Sequence, residues 1–309
     1  MHQTVLLREA VEALVTVRDG YYVDGTFGRG GHSREILAAL SEEGHLLGVD
    51  KDPQAIEVAR QLKEGDDRFD FEHDSFARLP HQLRRLGIGA VDGILLDLGV
   101  SSPQLDEAER GFSFSQDGPL DMRMDTTRGQ TAAEWLASAS HGDIASVLRE
   151  YGEERHAGRI ASAILRALEA GPINTTGQLA QIVSEANPSW EKHKHPATRA
   201  FQGIRIWINR ELVDLELLLD EVVDLLRPGG RLVIISFHSL EDRMVKRFIR
   251  RMSRGEQPPR GVPVMESQVE KKLAAVGKAI KPSAQEIAAN PRSRSAVMRV
   301  AERLPGLAA

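Results

Sequence analysis

A glycine-rich turn is the first place where this sequence could hold a small ligand against its backbone. Residues 24–33 read DGTFGRGGHS and stand between the short apolar run 21–23 and a predicted helix. Glycines let a ligand approach the main chain closely, and the first turn of a helix supplies N–H groups without intrahelical partners. The turn does not match the dinucleotide fingerprint G-x-G-x-x-G, because Ser33 occupies the position of the third glycine.

Two further residues stand where a nucleoside would be bound. Asp50 ends the next predicted strand, about 20 residues after the turn, and Rossmann-like proteins place an acid there to bind ribose hydroxyls. Phe76 follows the third predicted strand, where an aromatic ring can cover adenine. Each has an ordinary alternative, since an acid at a strand end often caps a helix and a single Phe usually lies in a core. Together with the turn at 24–33, which begins with an acid, Asp50 and Phe76 are typical of methyltransferases that bind S-adenosylmethionine.

The loop 97–104, DLGVSSPQ, ends the fourth predicted strand. Ligands of open parallel sheets bind outside the carboxyl ends of the strands, so this loop should lie between cofactor and acceptor. It lacks the Asp/Asn-Pro-Pro-aromatic motif that amino-group methyltransferases often carry there. After the next buried strand, His238 stands near Glu241 and Asp242; it could be a base, but a hydrogen-bonded structural role is favoured. The usual ligand spacings, HExxH and paired CxxC, are missing, so no metal is indicated.

Composition narrows the chemistry further. The 309 residues include no cysteine, which excludes disulfides, thiolate zinc sites and cysteine nucleophiles. Methylation of a pyrimidine carbon usually needs a thiolate adduct, so a base acceptor would react through a nitrogen or an oxygen. The net charge is −5, but residues 243–303 hold 15 lysines and arginines against 5 acids. That segment indicates either a surface that faces nucleic acid or a solvated basic surface.

The predicted elements place these residues at one edge of a sheet. Strands alternate with helices over 20–100 and again after 209, which is typical of a parallel, doubly wound sheet. Between these stretches the apolar spacing predicts helices only. We therefore predict an α/β fold, a Rossmann-like class I methyltransferase core at 1–104 and 206–309 with an inserted all-α domain at 105–205.

The carboxyl-terminal third carries three more detailed expectations. Residues 227–230, RPGG, should end a helix before a buried strand at 231–237. Residues 254–291 should be mostly irregular, and a last strand should lie near 295–300.

Neither a signal peptide nor an apolar run of membrane-spanning length is visible, so a cytoplasmic protein is expected.

Long motifs run nearly from end to end of the chain. They are TFGRGGHS at 26–33, DLGVSSPQ at 97–104, GPLDMRM at 118–124, HPATR at 195–199, SFHSLED at 236–242 and NPRSRS at 290–295. Together they closely resemble the bacterial small-subunit ribosomal RNA (cytosine-N4) methyltransferase H family, of MraW type. Several of these motifs are not general methyltransferase motifs, so the resemblance is specific.

The resemblance implies methyl transfer from S-adenosyl-L-methionine to N4 of a cytidine in the decoding region of small-subunit ribosomal RNA, within an assembled or nearly assembled subunit. The transfer would be direct, without a covalent intermediate, and Asp97 is by position the acceptor that could assist the amine. The implied cofactor contacts are Gly30, Gly31 and His32 at the methionine end, Asp50 at the ribose, Phe76 at the adenine, and Asp97 and Gln104 nearby.

Contacts with RNA are expected from basic residues in the insert and near the carboxyl end. The candidates are Lys192, Lys194, Arg199, Arg205, Arg292, Arg294 and Arg299. Other functions stay open on the sequence: a methyltransferase with a protein or small-molecule acceptor, or a non-catalytic RNA-binding assembly factor. A nicotinamide oxidoreductase is disfavoured by Ser33 and by the turn at 227–230.

Overall fold

The computed structural model describes residues 4–188, 195–255 and 270–306. The chain divides into two compact units. The first comprises Met1–Gly99 and Leu212–Ala309, and the second comprises Val100–Glu211. The predicted insert, 105–205, falls within the second unit.

Within the described residues, the first unit is built on one seven-stranded sheet with the strand order β3-β2-β1-β4-β5-β7-β6. The strands are β1 Tyr21–Asp24, β2 His45–Asp50, β3 Phe69–His73, β4 Val91–Asp97, β5 Leu226–Ser236, β6 Leu273–Ala275 and β7 Val297–Arg303. β1 to β5 pair in parallel, whereas β7 pairs antiparallel with β5 and with β6. This confirms the predicted parallel-rich, Rossmann-like sheet.

Helices follow the parallel strands and fill the second unit. In chain order they are α1 Leu7–Leu14, α2 Gly31–Ala39, α3 Pro53–Gly65, α4 Leu79–Arg85, α5 Ser102–Asp106, α6 Ala132–Ser138, α7 His141–Glu150, α8 Ala157–Ala170, α9 Thr176–Ala186, α10 Thr198–Asn209, α11 Glu211–Leu225, α12 Ser239–Arg254 and α13 Ala284–Ala289. Among the described residues, none of these helices is long and apolar enough to cross a membrane.

The central strand β4 shows why the sheet is covered on both faces. Successive side chains of a strand point to opposite faces. Accordingly Ile94 and Leu96 enter the core cluster that contains α11 and α12 residues, and Leu95 enters the cluster that contains α1 and α2 residues. All three side chains are fully buried. A strand that is buried on both faces is expected to be mostly apolar. In the segment 91–96, Val91, Ile94, Leu95 and Leu96 are apolar, and Asp92 and Gly93 are the exceptions.

The prediction for residues 227–230 was wrong. α11 already ends at Leu225, and β5 begins at Leu226, so the Arg-Pro-Gly-Gly segment lies inside the strand. The register with β4 jumps from Val91↔Leu226 to Gly93↔Arg231. The extra residues are accommodated as an exposed irregularity at the start of a strand that becomes buried from Leu232 onward.

Of the segment 254–291, which the sequence predicts to be mostly irregular, residues 256–269 lie outside those that the structure describes, and the rest is largely irregular apart from short elements. α12 extends to Arg254, β6 covers Leu273–Ala275, and α13 covers Ala284–Ala289. A three-residue strand and a six-residue helix are too short for sequence periodicity to reveal. β7 begins at Val297, so the last strand exists and lies slightly later than predicted.

The second unit has its own apolar core, formed by side chains of α6 to α10. Its long loop at 111–130 contains no named strand among the described residues, but an isolated bridge joins Pro119 to Thr175. Asn209, at the end of α10, fixes the loop. Its amide donates to the Met122 carbonyl at 2.7 Å, and its Oδ1 accepts from the Met124 N–H at 2.7 Å. These bonds hold Met122 at its positive φ of 63°.

Replacing Asn209 by Ala should destabilise the second unit by about 1–3 kcal/mol, because a buried carbonyl and N–H lose their partners. Amide exchange at Met124, followed by mass spectrometry or NMR, measures the effect locally. The matched control is Asn174→Ala, since Asn174 is exposed. Equal exchange at Met124 in the two variants would contradict this role for Asn209.

Candidate active site

Three acidic residues meet at the carboxyl ends of neighbouring parallel strands. Asp24 ends β1, Asp50 ends β2 and Asp97 ends β4. β1 lies between β2 and β4, and in the register Asp24 stands opposite Gly48 and Leu95. The sheet therefore gathers three carboxyl groups at one edge.

The turn after β1 brings backbone to this edge. Gly30 has a φ of 71° and is the N-cap of α2, so a side chain there would be strained. A Cβ on Gly30 would also lie 2.7 Å from the Phe27 ring, and a Cβ on Gly31 would lie 1.9 Å from Thr4 Oγ1. Both positions therefore require glycine, and the start of α2 presents its N–H groups beside the acids.

Asp24 is held rigidly beneath the turn. Its side chain is 1% exposed, and its two oxygens accept from the Ser33 hydroxyl at 2.7 Å and from the Thr26 N–H at 3.2 Å. Burial raises the pKa of Asp24 to about 6, with a further contribution from the charge of Asp50. These contacts explain why Ser33 occupies the position of a third glycine.

Asp50 is arranged to receive hydroxyl groups. Its Oδ2 accepts from the Gly28 N–H at 2.7 Å, and its Oδ1 accepts from the Asp52 N–H at 2.9 Å. Each oxygen has a second lone pair. Burial raises the pKa of Asp50, and the two backbone hydrogen bonds oppose that rise. A fixed carboxylate with spare acceptor capacity suits the two hydroxyls of a ribose.

Phe76 lies beside the turn, and a buried polar network positions it. A Cβ on Gly25 would be 3.2 Å from the Cβ of Phe76. Ser75 caps the short helix Phe76–Arg78, and its hydroxyl donates to Asp214 Oδ2 at 2.6 Å. Lys51, next to Asp50 in the chain, reaches the same oxygen at 2.5 Å. Asp214 on α11 therefore joins Lys51, the residue after Asp50, to Ser75, the residue before Phe76.

Asp97 has the most unusual surroundings of the three acids. Its backbone N–H donates to Thr26 Oγ1 at 2.6 Å, and its Oδ2 lies 3.8 Å from Nδ1 of the buried His32. Its Oδ1 is buried and has no hydrogen-bond partner among the residues that the structure describes. Burial raises the pKa of Asp97 well above its usual range, and the charges of Asp24 and Glu241 raise it further.

Six of the seven predicted cofactor residues thus lie in the first unit, at the ends of β2 and β4 or in the segments that follow β1 and β3. They are Gly30, Gly31, His32, Asp50, Phe76 and Asp97. Gln104 belongs to the second unit, where it is buried and its Oε1 accepts from the Ser101 N–H at 3.0 Å as part of a capping box. The binding roles of all seven stay predictions.

His238 is explained by a structural role. It is the N-cap of α12, with its Nδ1 3.5 Å from the Glu241 N–H. The Glu241 carboxylate accepts from the Phe237 N–H at 2.8 Å and is 2% exposed. These contacts form a capping box, which favours the structural reading of His238 over a catalytic base.

Sequence reasoning did not find Thr26, Lys51 or Asp214. Thr26 lies within the glycine-rich turn that the sequence predicts, but the hydrogen bond between its hydroxyl oxygen and the Asp97 N–H could not be predicted. Asp214 is 139 residues from Ser75 in the chain, and no spacing rule connects them. Long-range polar pairs of this kind become visible only in the folded chain.

The residues present fit S-adenosyl-L-methionine. Its sulfonium and amino groups are cationic, and burial raises the pKa of Asp24, Asp50 and Asp97, so a cation beside these acids would favour their ionised forms. The glycine turn fits the methionine end, Asp50 the ribose and Phe76 the adenine. The unpartnered Oδ1 of Asp97 gives the site an acceptor that the described residues do not use.

A family model for the MraW methylase family matches residues 1–304. The chain belongs to the MraW methylase family. Membership confirms the predicted family and, with it, a methyltransferase that uses S-adenosyl-L-methionine.

Solved structures give more distant matches. An rRNA methylase from Streptococcus thermophilus is 13% identical with a TM-score of 0.42, over 99% of each chain. Aeropyrum pernix fibrillarin with S-adenosyl-L-methionine is 9% identical with a TM-score of 0.41, over 94% of this chain and 72% of that one. NSun6 from Pyrococcus horikoshii is 14% identical with a TM-score of 0.45, over 98% of this chain and 53% of that one.

The raised pKa of Asp24 predicts a pH-dependent stability. The folded protein holds this proton more tightly than the unfolded chain, so the stabilising contribution is complete below about pH 4 and is lost as pH rises through about 6. Asp24→Asn should remove up to about 3 kcal/mol of that pH dependence. Urea unfolding of both proteins from pH 4 to pH 7.5 measures the difference, and parallel curves would show that Asp24 ionises normally.

Loss of the Lys51–Asp214–Ser75 network should weaken cofactor binding without slowing the methyl transfer step. Asp214→Ala should raise the Kd for S-adenosyl-L-methionine severalfold, because Phe76 and the residue after Asp50 lose their common anchor. The rate at saturating cofactor should change little. Asp220→Ala, an exposed acid on the same helix, is the matched control. Calorimetric Kd values that agree for the two variants would refute the positioning role.

Proposed function

We propose that this chain transfers the methyl group of S-adenosyl-L-methionine to N4 of a cytidine in small-subunit ribosomal RNA, at the decoding region. Family membership supports methyl transfer, and the sequence resemblance points to this base and this RNA. The substrate is then the RNA of an assembled or nearly assembled small subunit. The target base must leave any stack to reach the cofactor edge of the sheet.

The buried, unpartnered carboxylate oxygen of Asp97 is the observation that carries the proposal. An exocyclic amine has N–H groups that need an acceptor when they enter a site shielded from water. Asp97 ends β4, the strand beside β1 and its glycine turn, and its Oδ1 has no partner within the described residues. It can therefore take the N4 hydrogen of a cytosine that faces the methyl group.

The reaction needs little covalent chemistry from the protein. S-adenosyl-L-methionine supplies an activated methyl group on a positively charged sulfur. The N4 lone pair forms the new N–C bond as the C–S bond breaks, sulfur keeps that electron pair, and N4 loses one proton. The cytosine amine is a poor nucleophile because its lone pair is delocalised into the ring. Asp97 would polarise the N–H bond and hold the amine in line, which is positioning combined with base catalysis.

Direct transfer agrees with the composition. The chain contains no cysteine, so the thiolate adduct used for methylation of pyrimidine carbons is excluded. A nitrogen acceptor requires no such adduct. His32, 3.8 Å from Asp97, is placed to influence the charge of that carboxyl group rather than to attack the base.

The predicted RNA contacts divide according to their environment. Arg205 is held bidentately by Glu211, and Arg299 by Asp242, so both are used within the fold. Arg199 donates to the Glu153 carbonyl. Arg292 and Arg294 are exposed, which supports a role in RNA binding. Lys192 and Lys194 lie outside the described residues.

The acceptor is tested with small ribosomal subunits from a strain that lacks this gene. Incubation with labelled cofactor should place methyl groups on the RNA, and nucleoside mass spectrometry should identify N4-methylated cytidine. Transfer to protein or to a small molecule would identify a methyltransferase with another acceptor. Cofactor binding without any transfer would favour a non-catalytic assembly factor.

Replacing Asp97 by Asn tests the proposed role of its carboxylate. We expect kcat to fall at least about a hundredfold, since the amide cannot accept the proton. For the wild type, kcat/KM should rise with pH until Asp97 is ionised, and the raised pKa moves this rise toward neutral pH. The Asn variant should lose that dependence when the cofactor is saturating, so that weaker cofactor binding does not enter the comparison. Full turnover by the variant would eliminate Asp97 as the acceptor.

A further inference from the structure

Helix α12 separates its side chains into an apolar face and a cationic face. Val245, Phe248 and Ile249 are buried in the sheet core. The exposed cations of the helix are Arg243, Lys246, Arg247, Arg250, Arg251 and Arg254. The buried side fixes the helix to the sheet, so the cations form part of a rigid surface.

Four of these arginines form a continuous stripe along the helix. At about 100° per residue, Arg243, Arg247, Arg250 and Arg254 lie within an arc of about 60°. They span 11 residue steps, or about 17 Å at 1.5 Å per residue. Lys246 lies beside them, so the stripe, defined here as Lys246 with these four arginines, presents regularly spaced positive charges.

Three cations of the stripe, Lys246, Arg247 and Arg250, are not paired with acids of their own helix. The acids of α12 stand in its first turn, where Glu241 is buried and Asp242 is bound by Arg299. Lys246, Arg247 and Arg250 form no ion pair within residues 4–188, 195–255 and 270–306. Arg251, on the flank, reaches Asp220 at 3.8 Å.

This arrangement opposes helix stability. Arg243 and Arg247, Lys246 and Arg250, and Arg250 and Arg254 are like charges four residues apart, which repel each other on a helix surface. A helix that needed only solubility would alternate the signs of its charges. Repeated positive charge along one line is favourable when a polyanion lies against it.

We propose that the α12 stripe binds the phosphate backbone of the substrate RNA. This rests on the proposed function, because the acceptor RNA is the polyanion that the chain must hold during transfer. Phosphate charges recur every few ångströms along a strand, so a stripe of about 17 Å can contact several of them. The contacts are to the backbone, and they supply affinity and orientation without reading the base sequence.

The test compares two double variants that remove the same charge. Arg247→Gln with Arg250→Gln alters the stripe, and Arg18→Gln with Arg84→Gln removes two exposed cations of the first unit outside the basic segment 243–303. Their Kd for transcribed small-subunit ribosomal RNA is measured over a series of KCl concentrations. Calorimetric binding of S-adenosyl-L-methionine checks that each variant is folded, and methyl transfer to small subunits is measured in parallel.

The stripe variant should bind RNA about tenfold more weakly at moderate salt. The slope of log K against log salt should become shallower by one to two, since two phosphate contacts each contribute about 0.7–0.9. The control should change neither quantity appreciably. Stripe and control variants with the same slope would overturn the proposal.

The two proposals fail in distinguishable ways. If the wild type methylates ribosomal RNA while the stripe variant behaves like the control, only the assignment of α12 is wrong. If the wild type binds the cofactor but transfers no methyl to the subunits, the proposed function fails. If the wild type also shows no salt-dependent RNA binding, both proposals fail.

Discussion

Three neighbouring parallel strands end in carboxyl groups, and this crowding governs the rest of the site. Asp24, Asp50 and Asp97 are fixed by the strand order, since β1 pairs with both β2 and β4. Burial raises the pKa of each of them, and the charge of at least one neighbouring acid adds to each rise. The fold supplies hydrogen bonds from Ser33, Thr26, Gly28 and Asp52, but at Asp97 one oxygen is left without a partner in the described chain.

Such a site is matched to a cationic ligand that also carries hydroxyl groups. A positive sulfur near the acids would favour their ionised forms, which burial disfavours. The binding energy is then gained from an electrostatic arrangement that the sheet holds in place before the ligand arrives. The same ionisation would convert Asp97 into the acceptor that an exocyclic amine needs, so cofactor binding and preparation for chemistry are coupled through one set of charges.

Much of this edge could be predicted from the sequence because its elements are local. The glycine turn, the acid ending each strand and the apolar strands themselves are contiguous patterns, and the topology of parallel sheets brings strand ends together. The Ser75–Asp214 bond joins residues far apart in the chain, and its partners have no local signature. The misplacement of residues 227–230 has a similar cause, since Leu226 and Arg231 on either side both pair with β4, and no local pattern shows that these four residues form an irregularity within the strand.

Proton exchange during cofactor binding tests the account most directly. Calorimetry in buffers of different ionisation enthalpy, between pH 5.5 and pH 7, measures the protons released when S-adenosyl-L-methionine binds. We expect net release, because the sulfonium should lower the raised pKa values of Asp24 and Asp97. S-adenosylhomocysteine, whose sulfur is neutral, should release fewer protons. If the two ligands release equal numbers of protons, or if neither releases any, the result would contradict a site in which buried acids become ionised when a cation binds beside them.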